Sequence, residues 1–330
     1  MIISKTPFRI SFFGGGTDYP AWYEENDGSV ISMAINKYCY ITCRYLPPFF
    51  DYKYRIRYYK REETNSIDEI QHPVVRAALK YMNVQNGVDI VHHADLPAQS
   101  GLGSSSTFTV SLLNAFRALK NINSDKYELA KDAIFIEQKL IMENVGSQDQ
   151  VAAAYGGFNK IDFSSSDGFK VKPIFLDDIS KVTSHMLLFF TGIMRSASDV
   201  AQEQIKNIPK NKTLLQEMIL QVNEATKLLN SQIIDMKLFG SLLNEQWRVK
   251  KSLAYNISNN EINTIYDIGM QCGAYGGKIL GAGGGGFILF LAKPSSHKTI
   301  IHALSKLINV PVDIDLNGSH IIYSSGSENF

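Results

Sequence analysis

Three glycine-bearing stretches and two separate acids of this 330-residue chain carry residue types whose order suits phosphate chemistry. Residues 96–107 read L-P-A-Q-S-G-L-G-S-S-S-T. Gly101 and Gly103, either side of Leu102, let the backbone turn its N–H groups inward, and Ser104, Ser105 and Ser106 then fall on the first turn of a helix. A helix N-terminus favours anions through its free N–H groups and its dipole. The serine hydroxyls can bond phosphate oxygens or ligate magnesium. The same residues would also serve as a plain N-cap after a flexible turn. No Lys follows the glycines, which excludes a Walker A loop.

Residues 281–286, G-A-G-G-G-G, formally satisfy G-x-G-x-x-G, but an apolar strand follows where a dinucleotide fingerprint requires a helix. Gly283 and Gly284 are candidates for close approach to a ligand; a flexible turn is the other reading. Residues 12–20, F-F-G-G-G-T-D-Y-P, run from a strand into Gly15, Gly16, Thr17 and Asp18. An acid there can accept hydrogen bonds from sugar hydroxyls, and Thr17 or Asp18 would equally cap a helix carrying Trp22 and Tyr23.

Two further acids stand apart from the glycines. Glu137 has Ala133, Ile134, Leu140 and Ile141 as its helical neighbours, so a carboxylate sits in an apolar stripe. Buried there, it needs magnesium or a Lys/Arg partner; at the edge of the stripe it would reach water. Asp149 follows Ser147, and the Ser147/Gln150 spacing of a capping box puts it in a helix's first turn, where the dipole alone favours an acid.

The elements that must position these residues change period along the chain. Residues 10–13, 29–46, 52–59 and 87–92 read as strands. From Ser104, the apolar positions Phe108, Leu112, Leu113, Phe116 and Leu119 recur with helical spacing. A second helix is expected from a Ser124–Asp125 cap to about residue 144, stopped by Gly146. Long helices across 214–254, interrupted near Asp235, and another at 262–271 lead into the second glycine run; 312–316 and 319–323 are expected to pair as a hairpin. Strands preceding helices imply an α+β fold. A boundary near 175–185 gives an N-terminal domain of 1–180 and a C-terminal domain of 181–330.

Composition narrows the class. Lys plus Arg number 33 against 32 Asp plus Glu, with no long basic run, which favours a small-molecule substrate over nucleic acid or a membrane surface. The apolar stretches are too short to span a bilayer and the first ten residues lack a leader pattern, so a cytoplasmic protein is expected. Cys39, Cys43 and Cys272 have no C-x-x-C spacing, consistent with buried small hydrophobes rather than a disulfide framework or a zinc site. The adjacent His92 and His93 on one strand face opposite ways and form no chelate.

Taken in order, T-P-F-R-I-S-F-F-G-G-G-T-D-Y, L-P-A-Q-S-G-L-G-S-S-S and K-I-L-G-A-G-G-G-G-F resemble the GHMP kinase superfamily over nearly the whole chain. The first and third motifs are most similar to its bacterial D-glycero-D-manno-heptose 7-phosphate kinases. The resemblance implies a ribosomal protein S5 domain 2-like N-terminal domain, a ferredoxin-like C-terminal domain, and an active site between them using ATP and Mg2+. It implies ATP binding by Gly101 to Ser106, a magnesium pair of Glu137 and Ser105, a catalytic Asp149 with Arg9 beside it, and Arg195 as a substrate contact, although a solvated surface arginine reads the same way. Galactokinases carry an acid and a histidine where this chain has Gly15 and Gly16, so an acceptor other than galactose is expected, with D-glycero-D-manno-heptose 7-phosphate, phosphorylated at its anomeric hydroxyl, the one the resemblance implies. A non-catalytic sugar sensor and a decarboxylase of the superfamily are the competing functions.

Overall fold

The computed structural model describes residues 1–123, 125–194 and 197–325. A first sheet takes β1 (Ile2–Phe13), β2 (Gly28–Tyr45), β3 (Tyr54–Arg57), β4 (Arg61–Thr64), β5 (Val88–Ala94), β6 (Phe158–Ser164) and β7 (Gly168–Pro173). A second, antiparallel sheet takes β8 (Met186–Phe190), β9 (Ala274–Ile279), β10 (Phe287–Ala292) and β11 (Ile308–Asn309), in the order β11-β8-β10-β9. The last strand, β12 (His320–Ser324), returns to the first sheet and pairs with β1. Strand order there is β12-β1-β2-β5-β3-β4, with β6 and β7 attached along the first half of β2. The helices are α1 (Pro20–Tyr23), α2 (Pro73–Tyr81), α3 (Ser104–Leu119), α4 (Lys126–Phe135), α5 (Gln148–Tyr155) and α6 (Ser180–Thr183). They continue with α7 (Ala197–Asn207), α8 (Lys212–Leu229), α9 (Met236–Ser252), α10 (Asn260–Gln271) and α11 (His297–Ala303).

Burial along β1 and β2 follows what touches them. The second half of β1 and residues 28–35 of β2 are buried without alternation. Helices α3 and α5 pack on them, and so do α8 and α9 from the second half of the chain. A strand covered on both faces loses its polar period. Beyond residue 36, β2 meets β5 and begins to alternate.

Helix α3 is enclosed by β1, β2, α4 and α5, so its polar residues are buried with its apolar stripe. Those from Ser106 to Asn114 are small and hydrogen-bonded. Ser4 Oγ and Ser111 Oγ lie 2.7 Å apart, and Asn114 donates to Ser319 Oγ at 2.9 Å. Such pairs let the backbones approach closely without leaving a buried polar atom unpaired.

Several expectations are corrected. Asp125 caps α4 by accepting from the N–H groups of Tyr127 and Glu128; Ser124 lies outside the described residues. The helix stops at Phe135 and runs on as one π turn, Ile136–Leu140, instead of reaching 144. Met142 then takes a positive φ of 53°, and Gly146 packs beneath Asp18 rather than stopping a helix. Residues 312–316 and 319–323 form no hairpin: Ile314 bridges Ile35, and the Asp315 carboxylate accepts from the N–H groups of Asn317 and Gly318, turning β12 onto β1. The expected strand at 52–59 contracts to β3, whose partner β4 went unread.

Candidate active site

The 96–107 segment forms the turn its glycines suggest. Gly101 and Gly103 sit at φ 79° and 76°, and α3 begins at Ser104 with no side-chain cap, leaving its first-turn N–H groups free for an anion. A Cβ on Gly101 would lie 2.4 Å from the Leu280 carbonyl oxygen, and one on Gly103 would lie 3.3 Å from Asp149 Oδ2. Glycine at these positions therefore lets two other elements close onto the loop. The second glycine run, which joins β9 to β10, is stitched to it by a 3.0 Å bond from the Phe287 N–H to the Ser100 carbonyl.

Asp149 lies in the first turn of α5, as its spacing suggests, but Ser147 makes no capping bond. The Ser147 hydroxyl instead meets Tyr23 and Gln138. Arg9, on β1, holds the Asp149 carboxylate at both oxygens, Nε to Oδ1 at 2.8 Å and Nη2 to Oδ2 at 2.9 Å. Its remaining nitrogen donates to the Gly101 carbonyl at 2.7 Å. Burial pushes the Asp149 carboxyl above its ordinary range, and the Arg9 guanidinium opposes that shift.

Glu137 is buried, on the π turn after α4. One oxygen accepts from Ser106 Oγ at 2.7 Å and Gln150 Nε2 at 2.5 Å, and the other accepts from Thr109. Desolvation raises its pKa to about 7 against these three bonds. The hydroxyl brought to Glu137 is that of Ser106, not the expected Ser105: residues 106 and 109 share a helical face, and Ser105 is exposed on the next one. No group of three or more metal-binding side chains occurs among the described residues. Glu137 has only neutral hydrogen-bond donors around it there, and a hard oxygen pair beside a phosphate loop fits Mg2+, which takes one or two carboxylates and completes its shell with phosphate and water.

The third constellation also assembles. Asp18 accepts from the Gly16 N–H at 2.8 Å and from Gln148 Nε2 at 2.9 Å. Gly15, Gly16 and Asp18 line a cleft of about 150 Å³ with Arg9, Asp149, Gly101 and residues 103–106. Thr17 does not line it: its hydroxyl is spent on the carbonyls of Gly14 and Ser29, so it closes the turn. Gly283 and Gly284 are likewise turned away. A Cβ on Gly283 would meet Ile257 at 2.8 Å, and the Gly284 N–H is bonded to the Ile257 carbonyl at 2.8 Å. Gly281 and Ala282 line the cleft instead. Arg195 lies outside the described residues.

Lys250, Tyr19 and Gln148 line the same cleft and were missed by the sequence reading. Lys250 projects from α9 and donates to the Gly15 carbonyl at 2.8 Å and to Gln204 Oε1 at 2.6 Å. Its one sequence signal is a lysine three and four residues from Gln246, Trp247 and Leu253 on the inner face of an amphipathic helix. His92 packs edge-on against Phe108, a structural place.

The chain as a whole has counterparts among known proteins. The GHMP kinase N-terminal domain model matches residues 71–157, and the GHMP kinase C-terminal model matches residues 225–309. The chain belongs to the GHMP kinases, ATP-dependent phosphotransferases that act on a hydroxyl acceptor. It is 29% identical over 317 residues to D-glycero-alpha-D-manno-heptose 7-phosphate kinase of Campylobacter jejuni, covering 92% of this chain and 93% of that one. A Pyrococcus furiosus galactokinase is 25% identical over 92% of both chains. Among solved structures, a D-glycero-D-manno-heptose 1-phosphate kinase from Bacteroides thetaiotaomicron superposes with a TM-score of 0.75 at 26% identity, covering 98% of this chain and 100% of that one. No helix among the described residues is long and apolar enough to cross a membrane.

Proposed function

We propose that this kinase transfers the γ-phosphoryl group of ATP to the anomeric hydroxyl of D-glycero-D-manno-heptose 7-phosphate, giving the 1,7-bisphosphate and ADP in the cytoplasm. The acceptor assignment rests on the edge at Gly15 and Gly16, which presents no side chains beside Asp18, taken with the likeness to the Campylobacter jejuni enzyme along 92% of the chain. Galactokinases, by the sequence comparison above, fill that edge with an acid and a histidine.

In this reading the N-terminus of α3, with Ser104 and Ser105, receives the ATP phosphates. Glu137 and Ser106 would hold magnesium, with Ser105 beside them. Bound there, the metal would neutralise charge on the phosphate oxygens. Asp18 orients the sugar hydroxyls. Asp149 accepts the proton as the anomeric oxygen bonds to the γ-phosphorus and the bond to the bridging oxygen of ADP breaks. Arg9 fixes the carboxylate in place, and most of the rate comes from this positioning and charge.

Coupled ADP release, measured over heptose 7-phosphate, heptose 1-phosphate, free heptose, galactose, mevalonate and homoserine, tests the acceptor. The expected result is the highest kcat/KM on the 7-phosphate. Turnover confined to another member of the panel replaces the acceptor, and no turnover on any of them favours a sugar sensor.

A further inference from the structure

Lys250 is a buried cation whose partners in the fold are all neutral. It is 4% exposed, yet lines the cleft. An ammonium has three donors. Two are used, on the Gly15 carbonyl and Gln204 Oε1, and no ion pair of Lys250 occurs among the described residues. Holding a charge out of water without a counter-charge is costly, and the cost falls when an anion arrives.

The neighbours keep this ammonium in place and open. Gln204 bridges it to the second glycine run, since its Nε2 donates to the Ala282 carbonyl at 2.7 Å while its Oε1 accepts from Lys250. A Cβ on Gly16 would stand 3.4 Å from Lys250 Nζ, so any side chain there would begin against the ammonium. Glycine leaves that side clear. The other described cation lining the cleft, Arg9, is committed through all three nitrogens to Asp149 and Gly101. Lys278, also buried, donates to the Phe12 carbonyl at 3.0 Å and does not line the cleft.

We infer that Lys250 is the specificity-determining residue for the acceptor, its third N–H donating to a phosphate oxygen that the sugar carries away from the reacting hydroxyl. The inference rests on the proposed phosphorylated acceptor. Burial lowers the Lys250 pKa to about 8, and the Asp18 carboxylate, bonded to Gly16 and Gln148 rather than to the ammonium, opposes that shift, as a bound anion would.

The test compares kcat/KM for heptose 7-phosphate with that for free heptose in wild type, Lys250→Gln, Lys250→Met and Arg195→Ala. The glutamine amide can still donate to Gly15 without a charge, so it carries the test if the methionine variant does not fold. A charged hydrogen bond to phosphate is worth about tenfold or more, so the preference for the 7-phosphate should shrink by that factor in both Lys250 variants, mainly through KM. Calorimetric titration with heptose 7-phosphate in the absence of ATP should show the same weakening. Equal losses on both acceptors overturn the inference and leave Lys250 as a prop for the Gly15 loop, with the proposed acceptor intact. Loss of preference in Arg195→Ala alone gives the phosphate to Arg195 instead. A wild type without preference removes the phosphorylated acceptor itself, and the inference with it.

Discussion

Arg9 grips both oxygens of Asp149 and, with its remaining nitrogen, the carbonyl of Gly101, so one guanidinium ties the acid of α5 to the phosphate loop. Removing the acid should leave that loop nearly undisturbed while removing the proton acceptor. For Asp149→Ala, kcat is expected to fall at least about a hundredfold with little change in ATP binding. Steady-state kinetics with nucleotide titration checks this; near-normal turnover of the folded variant would return Asp149 to a helix-capping role.

Arg9→Lys should be costly despite the retained charge. A lysine offers a point charge where the planar fork makes two parallel bonds to the acid and a third to Gly101. The expectation is a loss in kcat of about tenfold or more, with a smaller effect on acceptor KM. Full activity in the lysine variant would show that charge alone suffices.

Glu137→Gln keeps shape and loses charge. The magnesium concentration giving half-maximal rate should rise, without unfolding, if the carboxylate is a ligand. An unchanged magnesium dependence would reduce Glu137 to a buried hydrogen-bond acceptor for Ser106, Thr109 and Gln150.

Stability should climb with pH above neutrality. Burial lowers Lys250 to about 8 and Lys278 to about 7, both below the ordinary lysine value of 10.5. Between those native values and the unfolded one, the unfolded chain holds more protons, so the slope of unfolding free energy against pH is positive. Urea unfolding at about pH 7 and about pH 9 should show this rise, and Lys278→Met should flatten it. A variant with the wild-type slope would mean that the ammonium is better compensated than its one bond to Phe12 indicates.

Two neighbouring glycines should separate folding from recognition. A Cβ on Gly14 would lie 1.9 Å from the Ser29 carbonyl oxygen at φ 81°, whereas one on Gly15 would meet Ser11 Oγ at an ordinary 3.5 Å. Gly14→Ala should therefore lower the melting temperature sharply. Gly15→Ala should fold and act on acceptor KM, since it lines the cleft. Equal melting temperatures for the two variants would contradict this division.

What the sequence revealed of the site was local. Gly101, Gly103 and the serines after them announce a turn into a helix because φ preference and capping act over a few residues. Glu137 betrayed itself as a charge among apolar neighbours, but its partner among the serines depended on the rotation of α3, fixed by packing against β1 and β2. The π turn at Ile136–Leu140 has no periodic signature of its own. Lys250 meets Gly15 across 235 positions, and no spacing rule reaches that far. The hairpin expected through Asn317–Gly318 failed for a related reason: the turn is there, made by Asp315, but the residues before it had a better partner in β2.

The return of the chain to its first sheet affects how the cleft can open. After β7 the backbone leaves for the second sheet, and by residues 313–315 it is back, bonded to Asn36, Ala34 and Gly157 before β12 lies along β1. The second sheet is thus joined to the first by two crossings of the chain, in addition to the packing of α8 and α9 on β1 and β2. Phe287 and Leu289 of the second sheet also lie in one core with β1 and β2, and the Phe287 N–H holds the Ser100 carbonyl. Any opening of the cleft that parted the two sheets would have to break that bond and expose the shared core.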